Sequence, residues 1–159
     1  MKLLIKKWIN KSHGDLSEEC FIPMRDRRIK HDGRWNLVQE KLIPGYVFIV
    51  TIQPEEVFHS LKVIPHLTKL LGADDGFTPL TDHEVVFLKR FGDKNHLVHL
   101  SEAIVEAANQ VRILSGNLKN YEGEVIKVNL HKRSAIVRIP FMGATTDVYL
   151  GIDIVEKKD

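Results

Sequence analysis

VRILSGNLKNYEGEVIKV, residues Val111–Val128, decides the fold of this chain. Val111 and Ile113 alternate with Arg112 and Leu114, the period of a half-buried strand. Gly116 and Gly123 bracket Asn117–Glu122, and glycine serves where backbone angles turn positive. Val125, Ile126 and Val128 then resume a β-branched strand. The segment predicts strand, glycine turn, exposed loop, glycine turn, strand. Its loop carries Lys119, Asn120 and Tyr121: a cation, an amide and an aromatic. A plain hairpin in any small barrel would read the same way, so the flanking sequence has to discriminate.

Toward the C-terminus the pattern continues. Val111–Leu114, Glu124–Asn129, Ser134–Pro140, Thr145–Leu150 and Ile152–Val155 are apolar β segments at short spacing, which predicts a small five-stranded barrel. One of its turns holds His131, Lys132 and Arg133. Residues 107–159 contain 8 Lys+Arg and 6 Asp+Glu, while residues 1–106 contain 15 of each, so the net charge of +2 lies in the barrel. A balance this even does not by itself announce a nucleic-acid binder; such a role must rest on local clustering.

Toward the N-terminus, Asp93–Gln110 has no clean strand period and reads as a linker with a little local structure. Before it, Thr81 and Glu84 have capping-box spacing, and Val85, Val86, Leu88 and Phe91 give the helix Asp82–Phe91 its apolar face, with Gly92 as its stop. Ala73–Pro79 reads as a loop and Leu67–Leu71 as a strand. Pro54 suits a first helical turn, with Glu55–Lys62 following as helix. Tyr46–Ile52 is almost wholly β-branched or aromatic and predicts a central strand. Cys20–Met24 is a short strand, followed by a hairpin that turns at His31-Asp32-Gly33. Arg25, Arg27, Arg28, Lys30 and Arg34 line that hairpin, either as a solvated face or as a contact for nucleic-acid backbone. Leu3, Leu4 and Trp8 recur at helical spacing within Lys2–Lys11.

The chain has 159 residues, 43% hydrophobic and 28% charged, enough for one domain or two small ones with packed cores. Its single cysteine, Cys20, fits a reducing cytosol. No apolar run reaches the roughly 18 residues that span a membrane. Lys6 and Lys7 interrupt the apolar start and no cleavage site follows, so a signal peptide is not expected.

Two sets of residues, in order along the chain, resemble one family. LIPGYVFIVT and FTPLTDHEVVFL resemble the Pro-(Gly/Asn)-Tyr-(Val/Leu)-Phe strand and the Pro-Leu-(Ser/Thr)-x-x-Glu helix start of the N-terminal (NGN) domain of NusG-type transcription factors. FIPMRDRRIKHDGRW looks like the strand and basic hairpin before them. GNLKNYEGEVIKVN through VYLGIDIV resembles the KOW barrel that follows in the same factors. The long basic hairpin and the tail LGIDIVEK are most similar to the specialised antitermination paralogues of LoaP or RfaH kind. Family members begin with a Trp-Tyr-Val-like strand before the first helix, whereas this sequence starts within that helix. The usual Gly-Asp turn before the barrel is Ala108-Asn109 here.

The resemblance implies an α+β protein. An NGN-like α/β sandwich over residues 1–93, its first strand apparently missing, precedes a linker at 94–106 and a small SH3-like KOW β-barrel at 107–159. It implies a non-enzymatic factor that binds RNA polymerase and promotes processive elongation or antitermination. Tyr46 and Phe48, two apart on a strand, share one face. With Ile43, Pro44, Leu70 and Leu71 they would form the apolar polymerase-docking surface, unless that face is core. The basic hairpin would reach upstream DNA or a polymerase loop. In the barrel, Lys119, Asn120, Tyr121, His131, Lys132 and Arg133, extended by Arg112 and Arg138, would bind an RNA hairpin, with Tyr121 either stacking on a base or folding over the barrel end. A barrel that recruits a termination factor or ribosomal protein is the competing family behaviour, and a ribosomal-type RNA-binding protein is a further alternative.

An enzyme would need convergent reactive groups. The 8 histidines are scattered, and there is no CxxC, HExxH, phosphate-binding glycine loop or serine elbow. No catalytic residue, cofactor or metal is expected. A cytoplasmic monomer without membrane attachment is.

Overall fold

A computed structural model of the protein describes residues 19–62, 77–106 and 110–157. The elements run β1 (Glu19–Phe21), β2 (Met24–His31), β3 (Arg34–Lys41), β4 (Phe48–Val50), α1 (Pro54–Lys62), α2 (Asp82–Phe91), β5 (Leu97–Val98), β6 (Ser101–Val105), β7 (Val111–Ile113), a 3-10 segment (Asn117–Glu124), β8 (Val125–Asn129), β9 (Ser134–Phe141) and β10 (Ala144–Lys157). The architecture is mixed α+β, as the sequence predicts. Two compact units share the chain: Met1–Ile22 with Gly45–Thr81, and Pro23–Pro44 with Asp82–Asp159.

In the first unit, β1 pairs antiparallel with β4, and Phe21 lies opposite Phe48 in register. The two rings stack at 5.6 Å, a cross-strand aromatic pair. Helix α1 starts on Pro54, with Glu55 and Glu56 in its first turn and His59 and Lys62 in its last, the order its dipole favours. Val57, Ser60 and Leu61 form its buried stripe. Of the segment expected as a central strand, Tyr46–Ile52, only Phe48–Val50 is strand. The expected helix Lys2–Lys11 and strand Leu67–Leu71 lie outside the described residues.

In the second unit, β2 and β3 form the predicted hairpin, closed by Asp32 and Gly33, both at positive φ. The sheet beside it is five-stranded and curled, in the order β7-β6-β10-β9-β8. Its strands differ from the expected five in two places. Residues Ser101–Val105, within the segment expected as linker, form β6. The two last expected strands are one continuous strand, β10. Its first half pairs antiparallel with β9 and its second half parallel with β6. Strand β6 is paired on both sides and buried at Ser101, Ala103, Ile104 and Val105, so it lacks the alternation that betrays a half-exposed strand.

Helix α2 runs over Asp82–Phe91 as predicted and joins this unit. Phe87 and Phe91 are buried one turn apart, their rings 4.3 Å from each other. Asn117 Nδ2 donates to the Phe91 carbonyl, satisfying a helix-end acceptor from the 3-10 segment. Glu84, expected to close a capping box, is buried and accepts a hydrogen bond from the Met142 amide. Met142 and Gly143 both have positive φ in the tight β9–β10 turn, so a carboxylate from the helix braces the most constrained turn of the sheet.

Candidate nucleic-acid interface

The basic hairpin does not stand free. Arg25 Nη1 donates to the Tyr149 carbonyl of β10, and its Nη2 reaches Glu40 Oε2 at 3.1 Å. Arg27 Nη1 meets the other oxygen of Glu40 at 2.7 Å. Burial pushes the Glu40 carboxyl up, but hydrogen bonds and charge from Arg27 and Arg25 outweigh this and hold it below the ordinary carboxylate value. Arg28 Nη2 donates to Asp153 Oδ2 at 2.8 Å. Lys30 and Arg34, at the tip, are exposed and have no ion-pair partner among the described residues. The five cations expected on one projection therefore separate. Three are held near the barrel or by the hairpin's own carboxylate, and two face solvent.

The barrel turn His131–Arg133 lies beside this hairpin. Arg133 Nη1 donates to Asp153 Oδ1 at 3.1 Å, and its guanidinium sits 4.4 Å over the ring of Trp35 on β3. Asp153 thus receives Arg28 from the hairpin and Arg133 from the barrel. Gly151, two residues earlier, lies where a Cβ would come within 2.4 Å of the Asp26 carbonyl oxygen and of Leu100 Cδ2. Only glycine lets the backbones approach this closely. His131 and Lys132 remain exposed. Arg25, Arg27, Lys132, Ser134, Tyr149, Leu150 and Gly151 line a pocket of about 260 Å³ between hairpin and barrel.

The other expected barrel cations are spread out. Arg112 pairs with Glu106 at 2.7 Å. Arg138 pairs with Asp147 through Nε at 2.8 Å and Nη2 at 3.2 Å, a fork that raises the arginine and lowers the carboxyl from their ordinary values. Lys119 is exposed on the 3-10 segment. The Tyr121 ring lies 4.2 Å from the Phe91 ring, so it folds onto helix α2. The side chain of Asn120 lies outside the described residues.

The expected polymerase-docking residues also divide. Phe48 is 8% exposed and stacked on Phe21, and Ile43 is buried; both rings and branches serve the chain's own core. Pro44 is exposed and Tyr46 half-buried. Leu70 and Leu71 lie outside the described residues. Beyond β4, Val50 and Ile52 are exposed. Among the described residues, no group of three His, Cys, Asp or Glu side chains could hold a metal ion, and no helix is long and apolar enough to cross a membrane.

Sequence reasoning missed Glu40 and Asp153, the carboxylates that organise the cations. Glu40 was within reach: a two-residue turn at Asp32-Gly33 sets it opposite Arg25. Nothing in sequence spacing places Asp153 between Arg28 and Arg133.

Comparison with known proteins agrees with this architecture. The family model described as Transcription termination factor nusG matches residues 3–89. The chain is 30% identical over 150 residues to the Transcription termination/antitermination protein NusG of Staphylococcus carnosus, covering 90% of this chain and 81% of that relative. The protein of the same description from Staphylococcus aureus matches with the same identity and coverage. With the hairpin, the helix α2 and the curled five-stranded sheet all in place, the chain belongs to the NusG family of transcription elongation and termination factors.

Proposed function

We propose that this chain is a specialised antitermination factor of the LoaP/RfaH kind, which rides on RNA polymerase and binds an RNA hairpin through its KOW-type barrel. NusG-family factors are non-enzymatic, so the work is done by contacts. Polymerase docking falls to the strand around β4, where Tyr46 is half-buried and Val50 and Ile52 are exposed; such exposed apolar side chains suit an apolar protein partner. The protein acts where polymerase is, in the cytoplasm.

The observation that carries the RNA reading is the β8–β9 turn. His131 and Lys132 are exposed there, between strands that fix their position, and Lys132 lines a pocket with Arg27 of the hairpin. A lysine so placed gains a phosphate contact without losing a partner. The test is a titration of the full chain against a stem-loop leader RNA at two salt concentrations. Affinity should fall steeply with salt, with a slope near one unit per phosphate contact. No binding at low salt would overturn the reading.

A second reading has its own support. Arg112 and Arg138 are neutralised by neighbours, and Ile126, Tyr149 and Val155 are exposed apolar residues of the barrel strands. A barrel of that character suits a protein partner such as a termination factor or ribosomal protein. Co-purification of such a protein with the full chain, in the absence of RNA binding, would favour it.

A further inference from the structure

We propose that the pocket between hairpin and barrel is a composite binding site for a nucleotide-borne phosphate, built half by β2 and half by the β8–β9 turn and β10. The proposal rests on the RNA-binding reading above for one of its two sources of phosphate, and on the pocket alone for the other.

The pocket holds about 260 Å³ and takes cations from both walls. Arg25 and Arg27 come from the hairpin and Lys132 from the barrel. Glu40 is the carboxylate that meets this group, and it holds both arginines. Three positive charges against one negative leave a surplus for an anion. Donor capacity is left over as well. Arg27 engages Glu40 through Nη1, and Lys132 Nζ has no partner among the described residues. Arg25 Nε is buried without a hydrogen-bond partner, an uncommon and costly condition for a charged group.

The lining selects among anions. A planar guanidinium on one wall and a compact ammonium on the other suit a group with several oxygens pointing in different directions. The buried Ser134 hydroxyl adds a neutral partner. Tyr149, also in the lining, is 47% exposed. The Arg25 guanidinium lies 5.7 Å over one face of its ring, so the opposite face is the platform left for a base, which a carboxylate-bearing peptide would not use.

The two halves are held together by contacts outside the pocket. Asp153 receives Arg28 and Arg133, and Gly151 lets β10 approach β2. A composite site has a testable signature: its two walls act as one unit, so their removal is not additive. Two independent cationic surfaces would instead add.

The experiment measures binding of the full chain to two probes, a fluorescein-labelled stem-loop RNA and inorganic pyrophosphate. The variants are Arg27→Gln, Lys132→Gln, the double variant, and Asp153→Asn, which loosens the clasp and leaves the pocket cations in place. Circular dichroism checks each fold. Each single variant should weaken binding several-fold and lower the salt slope by about one. The double variant should lose little more than either single one, and Asp153→Asn should abolish this coupling. Binding of RNA that responds to Lys119→Ala but not to Arg27→Gln or Lys132→Gln would overturn the pocket and leave the RNA reading standing. Binding of pyrophosphate through Arg27 and Lys132 without RNA binding would support the pocket and overturn the RNA reading. Binding of neither probe, or preference for a polyglutamate peptide over both, would overturn the pocket outright.

Discussion

Arg28 and Asp153 lie 125 residues apart in the chain and meet at 2.8 Å, joining the basic hairpin to the last strand of the barrel. Both side chains are about three-quarters buried, and Asp153 also holds Arg133. Removing this carboxylate leaves two guanidinium groups short of their partner, one of which already has a buried Nε without a hydrogen bond. Asp153→Ala should therefore destabilise the second unit by about 1–3 kcal/mol. Urea unfolding measures it. The emission of Trp35, which lies under Arg133, should shift in the native baseline as well. An unchanged midpoint would mean that the pair is only a surface contact.

Gly151 makes a sharper case because the obstacle is backbone. A methyl group there would meet the Asp26 carbonyl oxygen at 2.4 Å, and a carbonyl in a paired strand cannot swing aside as a side-chain end can. Gly151→Ala should cost at least about 1–3 kcal/mol and separate β10 from β2. Amide hydrogen exchange should then rise along Met24–His31 before it rises in β9.

His99 should give the fold a pH dependence. Its Nδ1 lies 3.0 Å from Asp26 Oδ2 and its Nε2 3.2 Å from Asp93 Oδ2. The hydrogen bond to Asp26, then that to Asp93, raises the imidazole above its ordinary value of 6.5. A raised histidine contributes stability that is complete below its unfolded pKa and is lost as pH rises through the higher folded value. Asp93 behaves oppositely. Backbone amides of Leu97 and Asn95, and then His99, hold it below 3.8, so its share is present above that value and is lost only as pH falls through its depressed folded pKa. Denaturation midpoints should decline as pH rises above the ordinary histidine value of 6.5, by a small amount because the imidazole is 59% exposed. His99→Gln should flatten that decline. A decline that survives the substitution would assign it to another group.

Tyr121 separates packing from base stacking. Its ring lies 4.2 Å from Phe91, which is fully buried. Tyr121→Ala should cost about 1–3 kcal/mol. Tyr121→Leu keeps apolar contact with Phe91 but has no ring to stack, and should leave RNA affinity nearly unchanged. Loss of RNA affinity in Tyr121→Leu with the fold intact would return the residue to the binding surface.

These residues also mark how far the sequence could be read. The Asp32-Gly33 turn, the ends of Asp82–Phe91 and the Pro54 helix start were legible, because each depends on neighbours within a few positions; the face of Asp82–Phe91 was not, since Glu84, Phe87 and Phe91 are its buried residues and Val86 of the expected stripe is exposed. Strand β6 was not legible either. Its residues are covered on both sides, and alternation arises only when one face meets water. Gly151 looked like a break between two strands but is a close-approach point within one, a distinction that depends on Asp26, far away in the chain. The cationic residues were visible as a class. Which of them are paired and which, such as Lys30, Arg34 and Lys132, face solvent was only partly so, because an ion pair such as Arg28–Asp153 across 125 positions leaves no local signal. Tyr46 and Phe48 were expected to share one strand face, but the strand begins only at Phe48, and whether its ring is core or surface depended on Phe21.

The central claim proposed is that this chain acts on transcribing polymerase through an apolar strand and an RNA hairpin bound by the barrel. The most direct measurement is single-round transcription through an intrinsic terminator, downstream of a leader that encodes a stem-loop. Wild type, Tyr46→Ala and Lys132→Gln full chains are compared. The account predicts that wild type increases read-through only when the stem-loop is present, and that each variant loses the increase while remaining folded. Read-through unchanged by the wild-type chain, or raised equally without the stem-loop, would contradict it.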